Sequence, residues 1–180
     1  MLWITVPARE LWDEKRERFI STKEQTLQLE HSLVSLSKWE SKWNKPFLGK
    51  GEKTTEETID YIRCMTLTQN VKPEVYLCLT DENIKDVTDY ISAPMTATTF
   101  SDDKTTKKSR EIITAELIYC WMIALNIPFD CRKWHLNRLL TLVRVCEIKS
   151  QPHKKPSKKD TMRRYAEINA ANRKRFNSKG

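Results

Sequence analysis

Thr54-Thr55-Glu56-Glu57-Thr58-Ile59-Asp60-Tyr61-Ile62-Arg63-Cys64-Met65 carries both a helix start and a helix period. Thr54 with Glu57 three residues on is a capping box, in which each side chain satisfies the other's free backbone N–H. Glu56 and Glu57 suit the positive end of a helix. Ile59, Ile62 and Met65, with Leu67 beyond, recur at three-residue steps and predict one apolar stripe. The same grammar repeats to either side. Thr80-Asp81-Glu82 opens a helix carrying Ile84, Val87, Tyr90 and Ile91. Ser35 to Phe47 places Trp39 and Trp43 four apart on one face behind Leu36, with Pro46 as the stop. Leu48 to Lys53 reads as a loop, and Pro73 to Leu79 as a connector of one helical turn.

Further along, Ser109 is expected to cap a helix from Arg110 to Leu125 that is apolar on nearly every side, the mark of a central helix. After a turn at Asn126–Phe129, Asp130 is expected to cap a helix running to about Ile148. Its inward side is Trp134, Leu136, Leu139, Leu140, Val143 and Cys146, and Arg132, Lys133, Arg138 and Arg144 lie mostly on its other faces. The short connection predicts that these two helices form an antiparallel pair. The polar residues 93–108, with Asp102-Asp103 among Thr and Lys, read as a mobile loop.

The first 30 residues are different. Leu2–Val6 is β-branched and aromatic. Glu10–Trp12 and Glu17–Ile20 flank a charged turn, and Thr26–His31 alternates with period two. The expected class is therefore α+β, mainly α: a small N-terminal antiparallel sheet packed on a helical bundle. A basic C-terminal helix, capped by Ser157 and running from Lys158 to about Phe176, follows a linker at residues 151–156.

Composition narrows the function. The 180 residues include only three glycines, Gly49, Gly51 and Gly180, too few for a phosphate-binding loop of the Walker or dinucleotide type. The longest apolar run, Leu117–Leu125, is far short of the roughly 20 residues that span a bilayer. Met1–Pro7 has no basic residue ahead of its apolar run, so no secretory signal is expected. With five cysteines, an odd number, a disulfide framework is not expected, and four of the five sit among apolar neighbours as buried thiols do. The charge is segregated. Residues 150–180 hold ten Lys/Arg against two Asp/Glu, and residues 1–149 hold 22 of each. This predicts a neutral globular body at 1–149 and a basic linker and helical tail at 150–180.

Few residues suggest reaction chemistry. Cys131 and His135 are four apart and could share a helix face, but no second close pair completes a zinc site. His31 is expected in a strand, His135 on a helix and His153 in the linker, and no local signature pairs any of them with a nucleophile. The expectation is no enzyme, no metal and no cofactor. Trp39, Trp43 and Trp134 are the candidate partner-binding residues, as anchors of a groove or as the core that shapes it. Lys158, Lys159, Arg163, Arg164, Arg173, Lys174 and Arg175 form an electrostatic tail that would attract a polyanion.

Leu29–Leu48, Asp60–Thr66, Pro94–Thr99, Ala124–Leu142, Asn169–Arg175 and the closing Lys179-Gly180 together resemble a family of small proteins of tailed bacteriophages with long, non-contractile tails. The resemblance covers nearly the whole chain. Such genes commonly lie in the tail-assembly region, near the tail-tube and tape-measure genes. The resemblance implies a tail-assembly chaperone in the host cytoplasm whose partner is the tape-measure or another tail protein. It supplies no catalytic residues. A structural component of the virion tail or connector is the first alternative, and a nucleic-acid-binding protein using the basic tail is the second. Homo-oligomerisation is left open, and no membrane partner is expected.

Overall fold

The computed structural model describes residues 1–13, 17–100, 112–150 and 158–176, which fall into two compact units, 1–147 and 148–180. The class is α+β and mainly α. The strands form two ladders where one sheet was expected. In the first, β1 (Leu2–Val6) pairs antiparallel with β4 (Gln25–Leu29), from Leu2↔Leu29 to Val6↔Gln25. In the second, β2 (Arg9–Asp13) pairs with β3 (Arg18–Thr22), from Arg9↔Thr22 to Asp13↔Arg18. Pro7, which cannot donate to a ladder, and Ala8 separate β1 from β2, so the hairpin leaves the first sheet. Alternation then points Ile4, Val6, Leu27 and Leu29 inward, all buried, and turns Trp3 outward.

Thr26–His31 is a strand only as far as Leu29, and His31 lies beyond it. The free edge of β4 is taken up by the chain after the second helix: the Glu30 amide donates to Met65 O (3.0 Å) and the Leu67 amide to Gln28 O (2.8 Å). That removes Leu67 from the helical stripe, because α2 (Thr55–Met65) must end for the strand contact to form.

The helix starts follow the predicted chemistry at two places and depart from it at three. Thr54 and Glu57 close the capping box of α2, at 3.2 and 2.9 Å. Thr80 and Asn83 do the same for α3 (Asp81–Ser92). α1 (Leu33–Trp43), however, begins before Ser35, because Ser32 and Ser35 cap each other's amides. It ends at Asn44, in the left-handed region (φ 53°), ahead of Pro46.

α4 (Ala115–Ala124) is capped by Thr114. Ile112 and Ile113 precede it outside any helix, and the expected cap Ser109 lies outside the described residues. The buried Glu40 carboxylate fixes this start. It accepts the amides of Phe47 (2.8 Å) and Ala115 (2.7 Å), holding an anion at the positive end of α4. α4 is not central. It buries Ala115, Ile118 and Met122, packs on α1, and leaves Ile123 62% exposed.

The third departure is at Asp130. Phe129–Lys133 is a 3-10 turn, and α5 (Leu136–Ser150) starts only after it, with Leu136 donating to His31 O (2.7 Å). The turn carries the chain from α4 to the end of β4, so α4 and α5 do not form the expected pair. Of the expected inward set on α5, Leu136, Leu139 and Val143 are buried, and Leu140 and Cys146 are half-buried. Pro73–Cys78 is a second 3-10 turn. α6 (Lys158–Phe176) stands in the second unit. No helix among the described residues is long and apolar enough to cross a membrane.

Candidate functional site

A groove of about 740 Å³ runs between the β2–β3 hairpin and the helices. Leu11, Trp12 and Ile20 form its hairpin wall. Trp43 of α1 with Ile59 and Arg63 of α2 line it from the helices, and Tyr76 and Leu77 of the Pro73–Cys78 turn complete the lining.

Trp43 is set in place twice. Its indole N–H donates to Asp60 Oδ2 (3.0 Å), and its ring stacks on Trp39 with centroids 6.2 Å apart. Lys42 pairs with the other oxygen of Asp60, and Lys45 with Glu57 Oε1 at 2.6 Å. The hydrogen bond from Lys45, helped by the Thr54 amide, holds the Glu57 carboxyl below its ordinary range. The charges beside Trp43 are thus paired, and the wall offers aromatic surface. Trp12 is 53% exposed and meets Phe19 edge-on at 5.0 Å across the hairpin, so the opposite lip is aromatic as well.

The three tryptophans singled out in the sequence fall in different places. Trp39 is fully buried, its indole N–H donating to Glu57 O (2.9 Å) and its ring edge-on to Phe47 and Tyr61. Trp39 is therefore the core that shapes the groove, and Trp43 is the wall. Trp134 does not line the groove. It is half-buried beneath the Arg138 guanidinium, 4.2 Å from the ring centroid. The tail residues Arg163, Arg164, Arg173, Lys174 and Arg175 are exposed on α6, whose first residues are Lys158 and Lys159. Sequence reasoning missed Trp12, Leu11, Ile20 and the turn residues Tyr76 and Leu77. An available signal was the aromatic pair Trp12 and Phe19 flanking a charged turn, since aromatics facing each other across a hairpin form a cross-strand pair.

The histidines come together, but inside the core. His31 Nδ1 and the Tyr61 hydroxyl share a hydrogen bond of 2.6 Å, and the His31 and His135 rings lie 5.1 Å apart. His135 Nε2–H donates to Tyr90 O (3.0 Å), and its Nδ1 accepts the Asn137 amide (3.3 Å), which sets the neutral tautomer. The Tyr90 hydroxyl donates to Glu30 Oε1 (2.8 Å). Burial, reinforced by the neighbouring His135, lowers His31 to about 3, and burial lowers His135 as well. Burial likewise pushes the Tyr61 and Tyr90 hydroxyls well above their ordinary value. The two imidazoles and two hydroxyls tie the end of β4, α2, α3 and the start of α5 together as uncharged hydrogen-bonding groups. Cys131 lies in the 3-10 turn and His135 just ahead of α5, so they do not share the helix face their spacing suggested. Among the described residues no His, Cys, Asp or Glu cluster could hold a metal ion. Cys78 and Cys131 are buried, Cys64 and Cys146 half-buried, and Cys120 exposed.

Compared with protein-family models, curated proteins and solved structures, the chain finds no match in any of the three.

Proposed function

We propose that the chain is a tail-assembly chaperone of a tailed bacteriophage that holds the tape-measure protein before the tail forms in the host cytoplasm. The observation that carries this reading is the groove between Trp12 and Trp43, beside which the ion pairs are already made within the chain. A long helical client presents apolar side chains at three- and four-residue steps. A groove with aromatic walls receives such anchors. Tryptophan is the residue most suited to this task, because it buries much area at little conformational cost. Arg63 and Glu56, both exposed, and Glu74 line the same groove and give it polar groups that can choose among clients. This reading uses no catalytic group and needs no cofactor.

Co-expression with the tape-measure protein encoded alongside this chain tests the proposal. The expected result is a soluble complex on size exclusion that forms only when this chain is present. An insoluble client with this chain eluting alone would remove the reading.

A further inference from the structure

α2 borders a second concavity on its side away from the groove. At 100° per residue, Thr58, Tyr61 and Ile62 lie opposite the groove-lining Glu56, Ile59 and Arg63. α3 supplies Ile84, Val87, Thr88 and Ile91, a stripe at helical spacing. Ile84 and Ile91 are only half-buried, and a cleft of about 180 Å³ lies between the two stripes, lined also by Phe47. Packed interiors have few voids larger than a water molecule, and an apolar cavity of about 150 Å³ receives benzene. The cleft therefore has room for one benzene-sized ring or a short branched chain, and is too small for a nucleotide.

The polar side chains of the lining are already used, with one exception. The Thr58 hydroxyl donates to Thr54 O (3.0 Å) and the Thr88 hydroxyl to Ile84 O (2.8 Å), and the Tyr61 hydroxyl shares its hydrogen bond with His31. Lys53 is the exception. It is exposed and makes no hydrogen bond or ion pair among the described residues, and its ammonium stands 4.3 Å from the centroid of the Phe47 ring. The cleft thus offers apolar walls and one cation at its border. A neutral ligand would leave that ammonium without an anion, and a cationic ligand would be repelled. Further polar groups on the ligand would be buried without partners. The complement is one ring or short branched chain bearing a single carboxylate.

We propose that the cleft between α2 and α3 is a binding site for a small apolar monocarboxylate, with its apolar part among Tyr61, Ile62, Val87 and Ile91 and its carboxylate on Lys53. The site shares no residue with the groove between Trp12 and Trp43 and does not depend on the chaperone reading.

Full-length protein labelled with nitrogen-15 is titrated with three probes that carry the same ring: phenylacetate, neutral 2-phenylethanol and cationic phenethylamine. At about ten non-hydrogen atoms, phenylacetate should bind with a Kd of about 1 mM. It should bind about threefold to fivefold more tightly than 2-phenylethanol, as expected of one exposed ion pair, and the difference should shrink with added salt. Amide shifts should centre on Phe47, Lys53, Thr58–Ile62 and Ile84–Ile91. K53E should reverse the order of phenylacetate and phenethylamine. I84F and I91F, which place a ring in the cleft, should each weaken all three probes by about tenfold or more. Circular dichroism checks the fold of each variant, and K53E, at an exposed position, decides the matter where a filled variant does not fold. W12A/W43A should bind phenylacetate like the parent. Equal affinity for the anionic and cationic probes, no reversal in K53E, shifts centred elsewhere, or no saturation below about 10 mM would each overturn the proposal.

Discussion

At the scale of single residues, Trp39 and Trp43 show how one helix face is divided between the core and the groove wall. Trp39 is enclosed by Phe47 and Tyr61 and bonded to the Glu57 carbonyl, so Trp39→Ala opens a large cavity and removes that carbonyl's side-chain donor. It should cost about 3–5 kcal/mol, read by urea unfolding. Trp43→Ala, at the groove wall, should cost much less. His31 carries a second prediction. Unfolded, its imidazole titrates near 6.5, and in the folded core near about 3. Between those values the unfolded chain binds more protons. Stability is therefore complete above pH 6.5 and is lost as pH falls toward 3. His135, also lowered, acts in the same direction. Glu57, lowered from an ordinary 4.5, adds its loss only below that pH. Unfolding free energies measured between pH 7 and 5 should already fall, and a flat profile over that range would contradict neutral burial of the two rings.

At the scale of elements, the local rules held where a helix is specified by its own residues. Thr54/Glu57 and Thr80 acted at the positions where they were read, because a capping box is a contact between residues three apart. They failed where a distant group decides. Nothing near Ala115 in the sequence announces that Glu40, 75 residues upstream, will accept its amide and start α4 there. Nor does Leu67 reveal that β4 needs its backbone. The groove was half legible for the same reason. Trp43 stands out by its spacing from Trp39, but Trp12 becomes a wall only because the hairpin leaves the first sheet and faces α1 and α2. Glu40→Ala tests the long-range contact. It leaves the buried amides of Phe47 and Ala115 without an acceptor and should cost about 2–4 kcal/mol, with loss of helical signal from the α4 turn.

At the scale of the whole molecule, charge and aromatic surface are separated. Residues 1–149 are balanced at 22 basic and 22 acidic groups, and the groove lies in this part, lined chiefly by apolar and aromatic side chains. The excess positive charge is confined to residues 150–180, where α6 presents it. That division was readable from the sequence because charge counts need no geometry. The groove between Trp12 and Trp43 is proposed to hold the client, and titration calorimetry against the tape-measure protein reads that contact. W12A/W43A should weaken binding by at least about thirtyfold, since each tryptophan acts as an anchor worth about 1 kcal/mol or more. Trp3→Ala, a control at an exposed tryptophan on β1 outside the groove, should bind like the parent. Equal loss in the Trp3 variant, or full affinity in the double variant, would contradict the claim.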